Sequence, residues 1–187
     1  VAGLLGRGEL VSTEGRNVYF TMESNNRDYL VWVAYSLESS GLRQLGVIGD
    51  EMPYQYKSIA TSDLADMYER WYNDGKLKVP DNFEFTPYII SNLYLERSFT
   101  DEEGNLHFMF PKLNADNMNR LAQKMKVLEV KLSLKEEDIV VSKKDRERFE
   151  EYMESNGETV PDFSHTFRVS RSTKKRPQDL QGITPRI

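Results

Sequence analysis

Between Asp116 and Leu134 the spacing of apolar residues changes from a helical to a strand repeat within one continuous stretch of chain. Met118, Leu121, Ala122 and Met125 recur every three or four positions, as one face of a helix requires. Leu128, Val130, Leu132 and Leu134 then alternate with Glu129, Lys131 and Ser133, the pattern of a strand with one buried face. A chain carrying both repeats has to pack helices on a sheet.

Both repeats recur along the chain. Thr61-Ser62-Asp63 is a capping signal, and Leu64, Met67, Tyr68, Trp71 and Tyr72 follow at helical spacing until Asp74-Gly75. Ser142 opens a second such helix, running to about Ser155. Val18 to Met22 reads as a strand, and Tyr29 to Leu37, rich in aromatic and β-branched residues, reads as a strand in a hairpin with Gln44 to Ile48. Tyr88 to Phe99 is also β-prone, with Pro87 bending it or placing it at an edge. Across the turn at Thr100 to Asn105, Leu106, Phe108 and Phe110 form a returning strand.

The expected fold is a single α+β domain with a mainly antiparallel sheet of about five to seven strands and about three helices. Its divisions are a flexible Gly-rich arm over 1–16, a globular domain over 17–163 and an extended basic tail over 164–187. The helices opened by Ser62 and Ser142 each run on to a Pro-Asp, at Pro80 and Pro161, after 18 and 19 residues. Duplication of a helix–turn–strand unit accounts for that parallel, and so does the ordinary use of Pro-Asp to stop a helix.

Composition removes several chemistries. There is no cysteine, so there is no disulfide, thiol nucleophile, iron–sulfur cluster or thiolate zinc site. The only histidines, His107 and His165, are too far apart in sequence to form a local zinc motif. No apolar run approaches the roughly 18 residues of a membrane span, so no membrane insertion is expected. Charge is unevenly placed: residues 166–187 carry six basic side chains and one acid, whereas the rest of the chain carries 19 basic and 29 acidic. A net charge of −5 therefore divides into a tail of +5 and a body of −10. A basic extended segment neutralises phosphates, or carboxylates on a partner, without a preformed pocket.

Candidate sites are few. Asp81 follows Pro80, and Glu129-Val130-Lys131 supplies an acid-x-Lys pair, the letters of the PD-(D/E)xK nucleases, in which carboxylates hold a divalent metal. Surface alternation on a strand produces the same letters. Gly6-Arg7-Gly8 and Gly46 to Gly49 lack the spacing of phosphate-binding loops and read as turns. His107 faces away from Leu106 and Phe108, either exposed or hydrogen-bonded across the sheet. Tyr54 and Tyr56, in a link without a period, present rings suited to a partner interface or to the core.

With no cofactor expected and most side-chain chemistry absent, the leading expectation is a non-enzymatic structural protein, a subunit of a virion-like or nucleoprotein particle that contacts other subunits through its arms. One alternative is a nucleic-acid-binding protein acting through Arg168, Arg171, Lys174, Lys175 and Arg176. The other is a metal-dependent nuclease using Asp81, Glu129 and Lys131.

Overall fold

The computed structural model describes residues 1–13 and 16–156. Helix α1 (Ala2–Leu5) leads into strands β1 (Gly8–Ser12) and β2 (Val18–Ser24), helix α2 (Arg27–Ser39), strands β3 (Gln44–Ile48) and β4 (Tyr54–Ser58), and helix α3 (Ala65–Trp71). A two-stranded ribbon, β5 (Tyr72–Asn73) with β6 (Lys76–Leu77), precedes the same succession a second time. Helix α4 (Pro87–Arg97) leads into β7 (Ser98–Thr100) and β8 (Leu106–Met109), α5 (Ala115–Lys124), β9 (Leu132–Lys135) and β10 (Asp138–Val141), and α6 (Lys143–Asn156).

Each half builds an antiparallel four-stranded sheet. The orders β1-β2-β4-β3 and β7-β8-β10-β9 are the same order written twice. The helices α3 and α6 occupy equivalent places after the last strand of each half, α3 entered through a 3-10 turn, Ser62–Leu64, that Thr61 caps. The parallel between them is therefore duplication of a whole helix–strand unit; Pro161 lies outside the described residues.

The α+β class holds, but among the described residues two four-stranded sheets and a two-stranded ribbon replace one sheet, and six α-helices replace about three. Two expected strands are helices. Residues 29–37 belong to α2, whose first turn is capped by Asn26, its side chain accepting from the Tyr29 N–H at 3.1 Å. Tyr29, Leu30, Val33 and Ala34 then share a buried face at helical spacing, which outweighs their β propensity. Residues 88–97 form α4, with Pro87 in its first turn, where a missing N–H costs nothing, and Thr86 as cap.

Helix α4 showed no helical repeat because it is buried nearly all round: Ile89, Ile90, Ser91, Asn92, Leu93 and Glu96 are all inaccessible. Its polar residues are satisfied locally, Ser91 donating to the Pro87 carbonyl at 3.0 Å and Asn92 to that of Tyr88 at 2.8 Å.

The N-terminal segment is also corrected. Instead of a flexible arm, residues 1–13 supply α1 and β1, with Leu4, Leu5 and Leu10 in the core. The expected strand over 128–134 begins only at Leu132, because a 3-10 turn, Met125–Leu128, extends α5 and Glu129 follows in the left-handed region at φ 54°. The residues of the basic tail lie outside the described residues.

Candidate functional site

The halves meet where α1 packs against α4. Each of these helices runs into the first strand of its sheet, and the residue directly before that strand is arginine both times: Arg7 before β1 and Arg97 before β7. By that register Gly6 is equivalent to Glu96, and Arg7 to Arg97.

The contacts across the junction are reciprocal. The Arg7 N–H donates to Glu96 Oε2 at 2.7 Å, and the Arg97 guanidinium donates to the Gly6 carbonyl through Nε at 3.0 Å and through Nη2. A pair in which residue 7 meets 96 while 97 meets 6 is the signature of a two-fold arrangement, the halves here playing the part of two subunits.

Close approach at this axis depends on glycine. A Cβ added to Gly6 would lie 2.7 Å from Glu96 Cδ across the junction; within the first half, one added to Gly8 would lie 2.6 Å from the Gly3 carbonyl oxygen. Gly6 is needed for the space that Glu96 occupies rather than for an unusual backbone angle.

Glu96 is 4% exposed and accepts from the Tyr29 hydroxyl as well as from the Arg7 N–H. Burial raises its carboxyl above the ordinary 4.5, against the opposing pull of these hydrogen bonds and of Arg97 and Arg7. Burial also lowers Arg97, to about 10, so its guanidinium stays charged at neutral pH.

Because the folded state holds the Glu96 proton more tightly than the unfolded chain does, its contribution to stability is complete below 4.5 and declines as pH rises toward the raised value. Glu96→Gln, which cannot titrate, is expected to flatten that decline in urea-midpoint measurements from pH 4.5 upward. An unchanged slope in the variant would place the pH dependence elsewhere.

The sheets present their outward faces on either side of the junction. On the first, cross-strand pairing puts Glu9, Thr21 and Lys57 in one row and Glu23 and Gln55 in the next. Lys57 Nζ lies 4.2 Å from the centre of the Tyr19 ring, and Tyr19, Thr21, Gln55 and Lys57 are half-exposed. On the second, only Ser133 and Lys135 of β9 are exposed in these rows; Ser133 lines up with buried Val140 and His107 and half-exposed Phe99.

His107 is bonded across the sheet rather than exposed: Nδ1 lies 2.9 Å from Asp138 and Nε2 3.0 Å from Asp101, with Phe99 stacked on the ring. Burial opposes the charge on Asp101, but bonds from Asn105 and His107 outweigh it and hold the carboxyl at about 2. The turn at Thr100 to Asn105 is thus tied to the sheet through Asp101.

The sequence-stated candidates fall in several places. Asp81 pairs with Arg120 of α5, and Lys124 reaches its carbonyl. Glu129 and Lys131 both precede β9, so no strand turns them to one face. Tyr56 is buried against Phe20 and Tyr54 is half-buried on β4. Arg168, Arg171, Lys174, Lys175, Arg176 and His165 lie outside the described residues. The sequence analysis does not find the junction; its signal there is a short Leu-x-Arg shared by Leu5-Gly6-Arg7 and Leu95-Glu96-Arg97.

No curated protein matches the chain. Solved structures with the same fold include the homing endonuclease I-WcaI bound to its DNA recognition sequence, with a TM-score of 0.67, 9% identity, and coverage of 89% of this chain and 82% of that one. The endonuclease I-DmoI in complex with DNA and Ca superposes with a TM-score of 0.61 at 13% identity, covering 90% of this chain and 96% of that one. I-DmoI with DNA and Mn gives 0.52 at 12%, covering 86% and 97%. At such identities these likenesses establish the fold.

The family itself is fixed by sequence: the model of the LAGLIDADG DNA endonuclease family matches residues 1–154. That match overturns the expectation of a non-enzymatic subunit of a virion or nucleoprotein particle, which rested on terminal arms, one of which is α1 and β1. With its duplicated helix–sheet unit and that match over residues 1–154, this chain belongs to the LAGLIDADG DNA endonuclease family.

Proposed function

We propose that this protein recognises double-stranded DNA, one sheet on each side of the α1–α4 junction, with the outward rows of both sheets laid against the duplex. The observation that carries this is the duplicated unit with reciprocal contacts at its axis, in a chain of a DNA endonuclease family. A duplex has its own local two-fold axes, so a two-fold protein can set equivalent surfaces on both strands. Antiparallel strands fit the major groove, where side chains can distinguish base pairs. Relatives of the same fold are described as bound to a DNA recognition sequence or in complex with DNA.

On the first sheet Thr21 and Gln55 offer hydroxyl and amide groups for base edges, and Lys57 offers a charge for phosphate. The basic residues Arg168, Arg171, Lys174, Lys175 and Arg176 would add phosphate contacts and offset the acidic body.

Affinity for a duplex selected from a random-sequence library tests the reading. Lys57→Ala is expected to weaken binding roughly tenfold and to reduce the slope of log affinity against log salt by about one. Full affinity and an unchanged slope would remove the first sheet from the interface. Failure to enrich any duplex would remove the reading itself.

A further inference from the structure

Phosphodiester hydrolysis aided by divalent metal needs carboxylates that converge on the ion. The relatives of this fold include structures described with Ca and with Mn. In this chain the donor set does not fit such an ion: among the described residues no group of three or more His, Asp or Glu side chains is placed to hold one.

Symmetry narrows the place to look. A two-fold protein acting on both strands of a duplex needs its reacting groups on or about its own axis, and here the axis runs through the α1–α4 junction. The residues beside it are Gly6, Arg7, Glu96 and Arg97. Gly6 has no side chain. Glu96 is the sole carboxylate of the four, inaccessible and already bonded by Tyr29 and Arg7. Both equivalent positions at the helix–strand boundary carry a permanent cation, and a fixed guanidinium repels a divalent ion as strongly as a carboxylate attracts one.

The geometry points to a protein that binds duplex DNA without cleaving it through a divalent metal, its positive charge at the two-fold axis coming from Arg7 and Arg97. This rests on the DNA-recognition reading above. The arginines have different tasks. Arg97 is turned back onto the Gly6 carbonyl and holds the halves together. Arg7 contributes its backbone N–H to that packing, a bond any residue but proline would keep, and its half-exposed side chain is placed to meet phosphate.

The test uses the full chain with a duplex selected from a random library, probed by fluorescence anisotropy in Mg²⁺ and in EDTA, and by denaturing gels after incubation with Mg²⁺ or Mn²⁺. Expected results are equal affinity, within about twofold, in the two buffers and no nicked or cut strand in either metal. Arg7→Ala should lose roughly tenfold in affinity while keeping its melting temperature, because the backbone bond to Glu96 survives. Metal-dependent cleavage, a tenfold loss of affinity in EDTA, or undiminished binding by Arg7→Ala would each overturn the inference and leave DNA recognition standing. Absence of binding in both buffers would take down the recognition reading together with it.

Discussion

Gly6→Val is expected to destabilise the protein by about 3 kcal/mol, the upper part of the range for overpacking a closed core, and to lower the melting temperature by roughly 6–12 °C in a chain of this size. Even a Cβ at this position would lie 2.7 Å from Glu96 Cδ. The Glu96 carboxylate cannot simply swing aside, since the Arg7 N–H and the Tyr29 hydroxyl both hold it.

Coupling makes this prediction specific. Glu96→Ala alone should cost stability by leaving the Arg7 N–H and the Tyr29 hydroxyl without their partner. Adding Gly6→Ala to Glu96→Ala should cost far less than Gly6→Ala does in the parent, because the space is then free. Chemical denaturation of the four proteins gives the coupling directly. Additive effects would mean that the two halves do not approach each other at this point.

Phe108→Ala is expected to cost about 3–5 kcal/mol, the usual consequence of removing a large ring from a core that cannot collapse. Phe108 is fully buried, and its ring meets that of Phe149 edge-on at 5.7 Å. Phe149, itself fully buried, also contacts Tyr94 of α4 at 5.7 Å. This one ring on α6 therefore ties the second sheet to the helix at the centre of the molecule. Hydrogen exchange in α6 should accelerate strongly in Phe108→Ala, and the urea midpoint should fall. A loss below about 1 kcal/mol would show that α6 is docked by other contacts.

The elements most readable in the sequence are those whose apolar residues keep one clean period. Leu106 and Phe108 alternate with His107 and Met109, and β8 lies there, paired with β7 across the expected turn. Met118 and Leu121 sit on one face of α5, and Ser142 caps α6 with its hydroxyl on the Asp145 N–H. Helix α4 is buried nearly all round and keeps no helical repeat, so its β-prone residues point to a strand. β2 lies where the sequence places a strand, but β1 is hidden by composition: four glycines among the first fifteen residues suggest mobility, yet Gly6 and Gly8 are there because neighbouring groups leave no room for a Cβ.

The central site was harder still, because its logic lies between the halves. Arg7 and Arg97 are 90 positions apart, and only the equal strand orders show that they occupy the same place in a repeated unit. The acid-x-Lys letters at Glu129 and Lys131 were the more visible pattern, but Glu129 has a left-handed backbone before β9 and the spacing carries no geometric meaning there. Charge was legible in sum but not in use. The acidic body includes Asp101 and Asp138, both spent on His107, and Asp81, spent on Arg120.

Hydroxyl-radical footprinting on a duplex enriched from a random-sequence library tests most directly whether the two halves of this protein straddle DNA. Two protected tracts are expected on each strand, related by a two-fold axis at the centre of the site, one for each sheet. A single tract covering one side only, or no enriched duplex at all, would contradict that arrangement.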